Sequence, residues 1–224
     1  MAEPAFVLLP SPLLGSAAWE PVAEQLRRLR HSALVVGTPP APDGPAEVLA
    51  AFLYALPVDQ PLVLVPHSNA GLYVPALTEA RQVVAAVFVD AALPDEGEAT
   101  AMAPPAIRAR IADLAAADGW LPPWTEWWPD ADVDALFPSG AAREAVEATQ
   151  PRLPLAYFDA SLPVPTGWDR KCACAYLAFG DTYAPELKVA EDRGWPTAVL
   201  DGGHLLMLVD PAGVAAAVLR LARH

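Results

Sequence analysis

The feature that most constrains this chain is an apolar run that ends in a serine-containing turn and continues into a helix-forming segment. Residues 61–71 read P-L-V-L-V-P-H-S-N-A-G. The apolar run predicts a buried strand, and the residues after Ser68 predict a helix. A turn this tight between strand and helix leaves no room for the serine side chain to fold back. The turn therefore holds the Ser68 hydroxyl away from the backbone, where it can react.

This segment resembles the nucleophile elbow of the α/β-hydrolase superfamily, whose usual form is G-x-S-x-G. Pro66 and Ala70 stand at the two positions where small residues are usual, at the close approach of strand and helix. Alanine fits there, and proline is bulkier but has a fixed φ that can hold the turn. The resemblance implies that Ser68 is a catalytic nucleophile.

The rest of the chain alternates strand-like and helix-like segments, as expected for an α/β fold. The strand-like segments lack polar alternation, so we expect them to be buried on both faces of the sheet. A length of 224 residues with 54% hydrophobic residues fits a single domain, residues 1–224. We predict a mostly parallel sheet of about six strands flanked by helices. The predicted strands are residues 6–9, 33–36, 62–65, 84–89, 175–179 and 197–200, and the predicted helices are 17–29, 46–56, 69–82 (kinked at Pro75) and 212–222.

Residues 95–170 interrupt this rhythm. They hold five of the seven tryptophans and many prolines, with only short helical patterns. The resemblance places a helical cap (lid) insertion here. The tryptophans are dense enough to predict an apolar substrate pocket, and the candidate lining residues are Trp120, Trp124, Trp127 and Trp128.

A serine hydroxyl needs a base within hydrogen-bond reach, and the base needs an acid that orients it. His204 follows the last predicted strand in a Gly-Gly-His segment, and it completes the order Ser, acid, His that the fold family uses. The acid has two candidates. Asp181, after the penultimate strand, is favoured because it begins D-x-x-x-P, and Asp90, at the end of an earlier strand, is its rival.

Acyl transfer also needs two N–H donors for the oxyanion. The resemblance implies that the backbone of Asn69 supplies one. The other would come from the loop after the first strand, which reads L-P-S-P-L-L-G-S and lacks the family's His-Gly. One alignment places Leu13 at the donor position and another places Pro12, which has no N–H to give.

The composition argues against several classes of partner. A net charge of −13 disfavours nucleic acid and anionic membranes. No apolar stretch approaches ~18 residues, so no membrane span is expected. A secretory signal would have Lys or Arg before its apolar region, and neither precedes the first apolar run here. Cys172 and Cys174 alternate in a strand-like segment directly before the predicted strand 175–179, and residues two apart in such a segment are not expected to form an ordinary disulfide or a metal site. These features favour a cytoplasmic protein, and the scarcity of lysine is typical of GC-rich bacteria.

The resemblance implies a serine hydrolase that cleaves a carboxylic ester or thioester of a bulky apolar small molecule through an acyl-Ser68 intermediate, without metal or organic cofactor. A lyase or eliminase on the same scaffold is the first alternative. In that case Ser68 and His204 would transfer protons without acylation. A non-catalytic small-molecule binder is the second alternative.

Overall fold

A computed structural model describes residues 3–223 as a three-layer α/β arrangement. All five strand pairings of its six-stranded sheet are parallel, and the strand order is β2-β1-β3-β4-β7-β8. A separate antiparallel ribbon joins β5 and β6. The strands are β1 (Ala5–Leu9), β2 (Ala33–Val35), β3 (Leu62–Ser68), β4 (Val83–Ala91), β5 (Ala99–Ala101), β6 (Ser161–Pro163), β7 (Ala173–Phe179) and β8 (Thr197–Leu200).

Helices cover both faces of the sheet, so the predicted fold class is confirmed. Alternate strand residues divide between two cores: Val7 and Leu9 pack with α2 and α3, whereas Phe6 and Leu8 pack with α1 and α9. The helices are α1 (Glu20–Arg28), α2 (Pro45–Ala55), α3 (Val74–Ala80), α4 (Pro105–Ala112), α5 (Asp130–Asp134), α6 (Gly140–Glu147), α7 (Ala184–Asp192), α8 (Leu206–Val209) and α9 (Pro211–Leu221).

Two local expectations were wrong. The segment after Ser68 is a 3₁₀ helix, Asn69–Tyr73, followed by the separate helix α3. Pro75 lies in the first turn of α3, where its missing N–H costs no hydrogen bond, and so it starts a helix and does not kink one. Helix α7 was not anticipated, because its exposed face is charged and only a few apolar side chains mark its buried face.

The chain between β4 and β7 contains the β5–β6 ribbon and the three short helices α4 to α6. Its apolar side chains join the two cores of the sheet and do not form a core of their own. Among the described residues, no helix is long and apolar enough to cross a membrane. The carboxyl ends of the parallel strands meet at one edge, where Ser68 ends β3 and Asp90 lies near the end of β4.

Candidate active site

Ser68 occupies a strained backbone position. Its φ is 54° and its ψ is −130°, values that a residue with a Cβ rarely adopts. The residue ends β3 and directly precedes the 3₁₀ helix, and it is 6% exposed. Backbone strain of this kind persists where the surrounding structure enforces it, and it concentrates at functional sites. The elbow geometry expected from the sequence is therefore present at Ser68.

A close approach behind the elbow lies at Gly71. A Cβ at Gly71 would overlap the carbonyl oxygen of Ala92, which follows β4. The backbone of the 3₁₀ helix thus lies directly against the chain leaving the neighbouring strand. Only glycine fits at this contact without a backbone shift.

We expect Gly71→Ala to lower the free energy of unfolding by about 1–3 kcal/mol or more, because an overpacked backbone contact must be relieved by displacement. Chemical denaturation measures the change. Gly140→Ala is the matched control, since nothing lies within 4 Å of a Cβ at that helical position. Equal stability of the two variants would contradict the close contact.

His204 pairs with Asp90. Nδ1 of His204 lies 2.6 Å from Oδ2 of Asp90, and the other carboxylate oxygen accepts the N–H of Phe179 at 3.0 Å. Asp90 is fully buried, with φ of 42° at the end of β4. A carboxylate held in this way fixes the imidazole orientation and leaves Nε2 of His204 as the free ring nitrogen.

The preference for Asp181 as the partner of His204 was wrong, and the rival Asp90 has that place. The side chain of Asp181 is exposed, and its backbone carbonyl accepts from Ala184 at the start of α7. Only four residues separate β7 from α7, so the chain turns into the helix before a carboxylate can extend over His204. Asp90 reaches the ring from the adjacent strand.

His67 packs against the ring of His204 and hydrogen-bonds to its backbone. Its Nε2–H donates to the carbonyl oxygen of His204 at 3.0 Å, and the two ring centroids are 4.4 Å apart. Burial, and then the nearby His204, hold the pKa of His67 well below its usual value of 6.5. His67 is therefore neutral in the folded protein. His67, Asp90 and His204 bring potential metal-ligating atoms within 4.8 Å of one another, but His204 and Asp90 already satisfy each other.

Because His67 is neutral when folded and binds a proton when unfolded below about pH 6.5, it favours unfolding in acid. The free energy of unfolding should therefore fall as the pH decreases below about 6.5, and the contribution of His67 to this decline should approach about 1.4 kcal/mol per pH unit. We expect His67→Gln to have a shallower decline between pH 6.5 and 5 than the native chain, measured by urea denaturation. Parallel pH profiles for the two proteins would show that His67 titrates normally.

Tyr183 is a site residue that the sequence analysis missed. Its hydroxyl lies 3.2 Å from Oγ of Ser68, and its ring centroid is 5.6 Å from that of His204. In the described part of the chain, no hydrogen bond joins Ser68 to His204 directly. Burial raises the pKa of Tyr183 to about 12, so the phenol is protonated and can donate to Oγ at neutral pH. Its only sequence signal was its place in the loop after β7.

Both polar atoms of the Asn69 side chain are hydrogen-bonded within the protein. Its amide donates to the carbonyl of Met102 at 2.9 Å, and its oxygen accepts the hydroxyl of Tyr157 at 2.6 Å. Tyr73 continues this buried chain, 2.7 Å from Tyr157. The backbone N–H of Asn69, at the start of a 3₁₀ helix, has no intrahelical acceptor, so the position fits the predicted oxyanion donor.

The loop after β1 folds onto Ser11, which is fully buried. The hydroxyl of Ser11 accepts the N–H of Leu13 at 3.3 Å, and its carbonyl accepts from Leu14 at 2.9 Å. Pro12 is buried and Leu13 is half-buried. The second candidate oxyanion donor, Leu13, is thus engaged within its own loop and must exchange the Ser11 hydroxyl for any other acceptor.

Two of the four candidate tryptophans lie beside His204. Trp124 and Trp128 line an open pocket of about 280 Å³ together with Leu136, Thr182 and His204. The ring of Trp124 is centred 6.3 Å from that of His204. The pocket wall is therefore mainly aromatic and aliphatic at the point where it meets the imidazole.

The other two tryptophans have packing roles. The indole N–H of Trp127 donates to the carbonyl of Pro122 at 2.8 Å, and its ring packs edge-on against Phe158. Trp120 pairs with Pro154 through a β-bridge and lies beneath the guanidinium of Arg152. The structure does not bring Trp120 or Trp127 to the pocket beside His204.

Comparison with known proteins identifies the fold. No model of a known protein family and no curated protein matches the sequence. Solved structures do match. An extracellular α/β-hydrolase from a Paenibacillus species, described as sharing structural and functional homology with tobacco salicylic acid binding protein 2, superposes with a TM-score of 0.78 at 16% identity, over 99% of this chain and 100% of that one.

Two further structures extend this likeness. Polyneuridine aldehyde esterase superposes with a TM-score of 0.75 at 16% identity, over 98% of this chain and 99% of its own. Tomato methylketone synthase I, bound to 2-tridecanone, superposes with a TM-score of 0.70 at 15% identity, over 100% of this chain and 99% of its own. At such low identity the likeness shows the fold, and the chain has the α/β-hydrolase fold.

Proposed function

We propose that this protein is a serine-dependent hydrolase that cleaves a carboxylic ester or thioester of a bulky, apolar small molecule. The observation that carries the proposal is the strained Ser68 at the end of β3, with the His204–Asp90 pair at the same edge of the sheet. Its solved neighbours include an esterase on the same fold.

The proposed reaction begins with the transfer of the Ser68 proton to Nε2 of His204. Asp90 holds Nδ1–H, so the basic lone pair of the imidazole is on Nε2. In the resting arrangement Oγ is hydrogen-bonded to the hydroxyl of Tyr183, so when the substrate enters Ser68 must rotate to bring its O–H to Nε2 of His204 while Oγ goes on accepting from Tyr183. Oγ then attacks the acyl carbon, His204 returns the proton to the leaving group, and water releases the acid by the reverse sequence.

The pocket favours an apolar substrate. Trp124, Trp128 and Leu136 form its wall beside His204, and aromatic surfaces bind ligands mainly by removing apolar area from water. The segment at residues 95–170 supplies both tryptophans, so we propose that it acts as the cap that selects the acyl or alcohol group.

A fluorophosphonate probe tests whether Ser68 is activated. We expect the native protein to gain one phosphonyl group on the peptide that contains Ser68, and Ser68→Ala to gain none. His204→Ala should label far more slowly, because the base is missing. Unmodified native protein under conditions that label a known serine esterase would contradict the proposal, and would favour a non-catalytic binder.

A lyase reaction is the second candidate, and the loop after β1 favours it. Leu13 donates to Ser11 and Pro12 has no N–H, so of these three candidate donors in the described residues only the backbone N–H of Asn69 is left to stabilise an oxyanion. Loss of one such donor costs about 3–4 kcal/mol in acyl transfer. Solved complexes of the similar methylketone synthase contain β-ketoheptanoate and 2-tridecanone. A lyase reaction in this protein would need Ser68 and His204 to hold and transfer protons without forming an acyl-serine.

Turnover in oxygen-18 water separates the two reactions once a substrate has been found. Hydrolysis places the label in the released acid, and an acyl group on Ser68 appears in the intact mass when deacylation is slow. A product formed with neither label nor adduct would replace the hydrolase by the lyase.

We expect Tyr183→Phe to lower kcat by about tenfold with a smaller change in KM. The lost hydroxyl removes a hydrogen bond to Oγ, and such a bond contributes about 1–1.5 kcal/mol. Steady-state kinetics measure the effect, and Tyr54→Phe is the control because its side chain is exposed. A faster Tyr183→Phe variant would mean that the phenol restrains Ser68 and does not assist it.

A further inference from the structure

The two cysteines lie side by side at the start of β7, on the face of the sheet opposite helices α8 and α9. Their sulfur atoms are 3.9 Å apart, and neither is in a disulfide. Cys172 is partly exposed, whereas Cys174 is buried. β7 begins at Ala173, so Cys172 lies in the bend that precedes it and is free of the strand's alternation.

The surroundings make the two thiols unequal. The hydrogen bond from Cys174 lowers the pKa of Cys172, although partial burial opposes this. The same contact with Cys172, together with burial, raises the pKa of Cys174. The thiol of Cys174 also lies 4.0 Å from the carbonyl of Asp169. The more accessible sulfur is therefore the better nucleophile, because the thiolate is the reactive form.

We propose that Cys172 and Cys174 are a redox-active dithiol site that hydrogen peroxide closes to a disulfide. The sulfur of Cys172 attacks the peroxide oxygen, the O–O bond breaks, and Cys172 becomes a sulfenic acid as hydroxide leaves and is protonated to water. The thiol of Cys174 then attacks that sulfur, forms the S–S bond and releases a second water. Two thiols are oxidised and one peroxide is reduced.

The closed form should be strained and easily reduced. The sulfur atoms must approach by about 1.9 Å, from 3.9 Å to the ~2.0 Å of a disulfide. Because only one residue separates the cysteines, most of that approach must come from the bend at Cys172. Strained disulfides are the labile ones, so glutathione should reopen this bond.

The reduced full-length protein, treated with hydrogen peroxide and digested with trypsin, tests the site. Cleavage after Lys171 and Lys188 leaves both cysteines in one peptide, residues 172–188. We expect this peptide to become lighter by two hydrogen atoms, to resist alkylation, and to regain two alkylatable thiols after glutathione treatment. The denatured chain under the same peroxide provides the comparison, and the folded protein should close faster.

Single variants assign the order of the steps. In Cys174→Ser, dimedone should trap a sulfenic acid on Cys172. In Cys172→Ser, the buried Cys174 should remain a thiol. The proposal is overturned if the folded protein keeps both thiols, if it forms a linked dimer, or if Cys172 is driven to a sulfinic acid while Cys174 stays alkylatable. It is also overturned if Cys172→Ser is oxidised as fast as the native chain. None of these readouts depends on the hydrolase activity.

Discussion

Ser68→Ala and His204→Ala should each reduce kcat on a true substrate by roughly 10⁶-fold, the loss expected when a nucleophile and its base act as one unit. Alanine at position 68 removes the atom that attacks the substrate. Alanine at position 204 removes the only ring nitrogen in the described residues that Asp90 orients. Stopped-flow and steady-state kinetics measure both losses.

The double variant separates a functional unit from two independent contributions. If Ser68 and His204 act together, Ser68→Ala/His204→Ala should be little worse than either single variant. Additive losses would mean that each residue acts in a separate step. Circular dichroism and thermal melting should show that all three variants are folded, and normal turnover by Ser68→Ala would remove the serine from the mechanism.

The fold was largely predictable because burial leaves a direct mark on sequence. Apolar runs such as residues 62–65 have no polar alternation, and in this structure both faces of that strand are covered. The turn at Ser68 was also predictable, since the change from an apolar strand to a helical segment places it within one residue. Helix α7 was not, because its exposed face is largely charged.

The contacts around Ser68 and His204 were harder to predict because they join residues far apart in sequence. Asn69 binds Tyr157, which is 88 residues away, and Ser68 contacts Tyr183, which is 115 residues away. No local spacing encodes such pairs. Tryptophan density predicted an aromatic pocket, but it did not separate Trp124 and Trp128, which line the pocket, from Trp120 and Trp127, which pack elsewhere.

The acid shows why local motifs mislead. Asp181 stands in a favourable motif, but the short connection from β7 to α7 leaves its side chain in solvent. Asp90 has no motif beyond its place near the end of β4. Its position follows from the strand order. Because β4 lies between β3 and β7, the Asp90 carboxylate lies between Ser68 at the end of β3 and the carboxyl end of β7.

Asp90→Asn should therefore reduce kcat by about 10⁴-fold, while the isosteric variant keeps its fold. Oδ1 accepts the N–H of Phe179, so an asparagine that keeps this bond must turn its NH₂ group toward Nδ1 of His204. Nδ1 then has to accept, the ring proton moves to Nε2, and the base cannot take the serine proton. Asp181→Asn is the matched control, and its kcat should be nearly unchanged. A large loss of kcat in Asp181→Asn, together with near-normal kcat in Asp90→Asn, would show that Asp181 in the loop after β7 is the acid that orients His204.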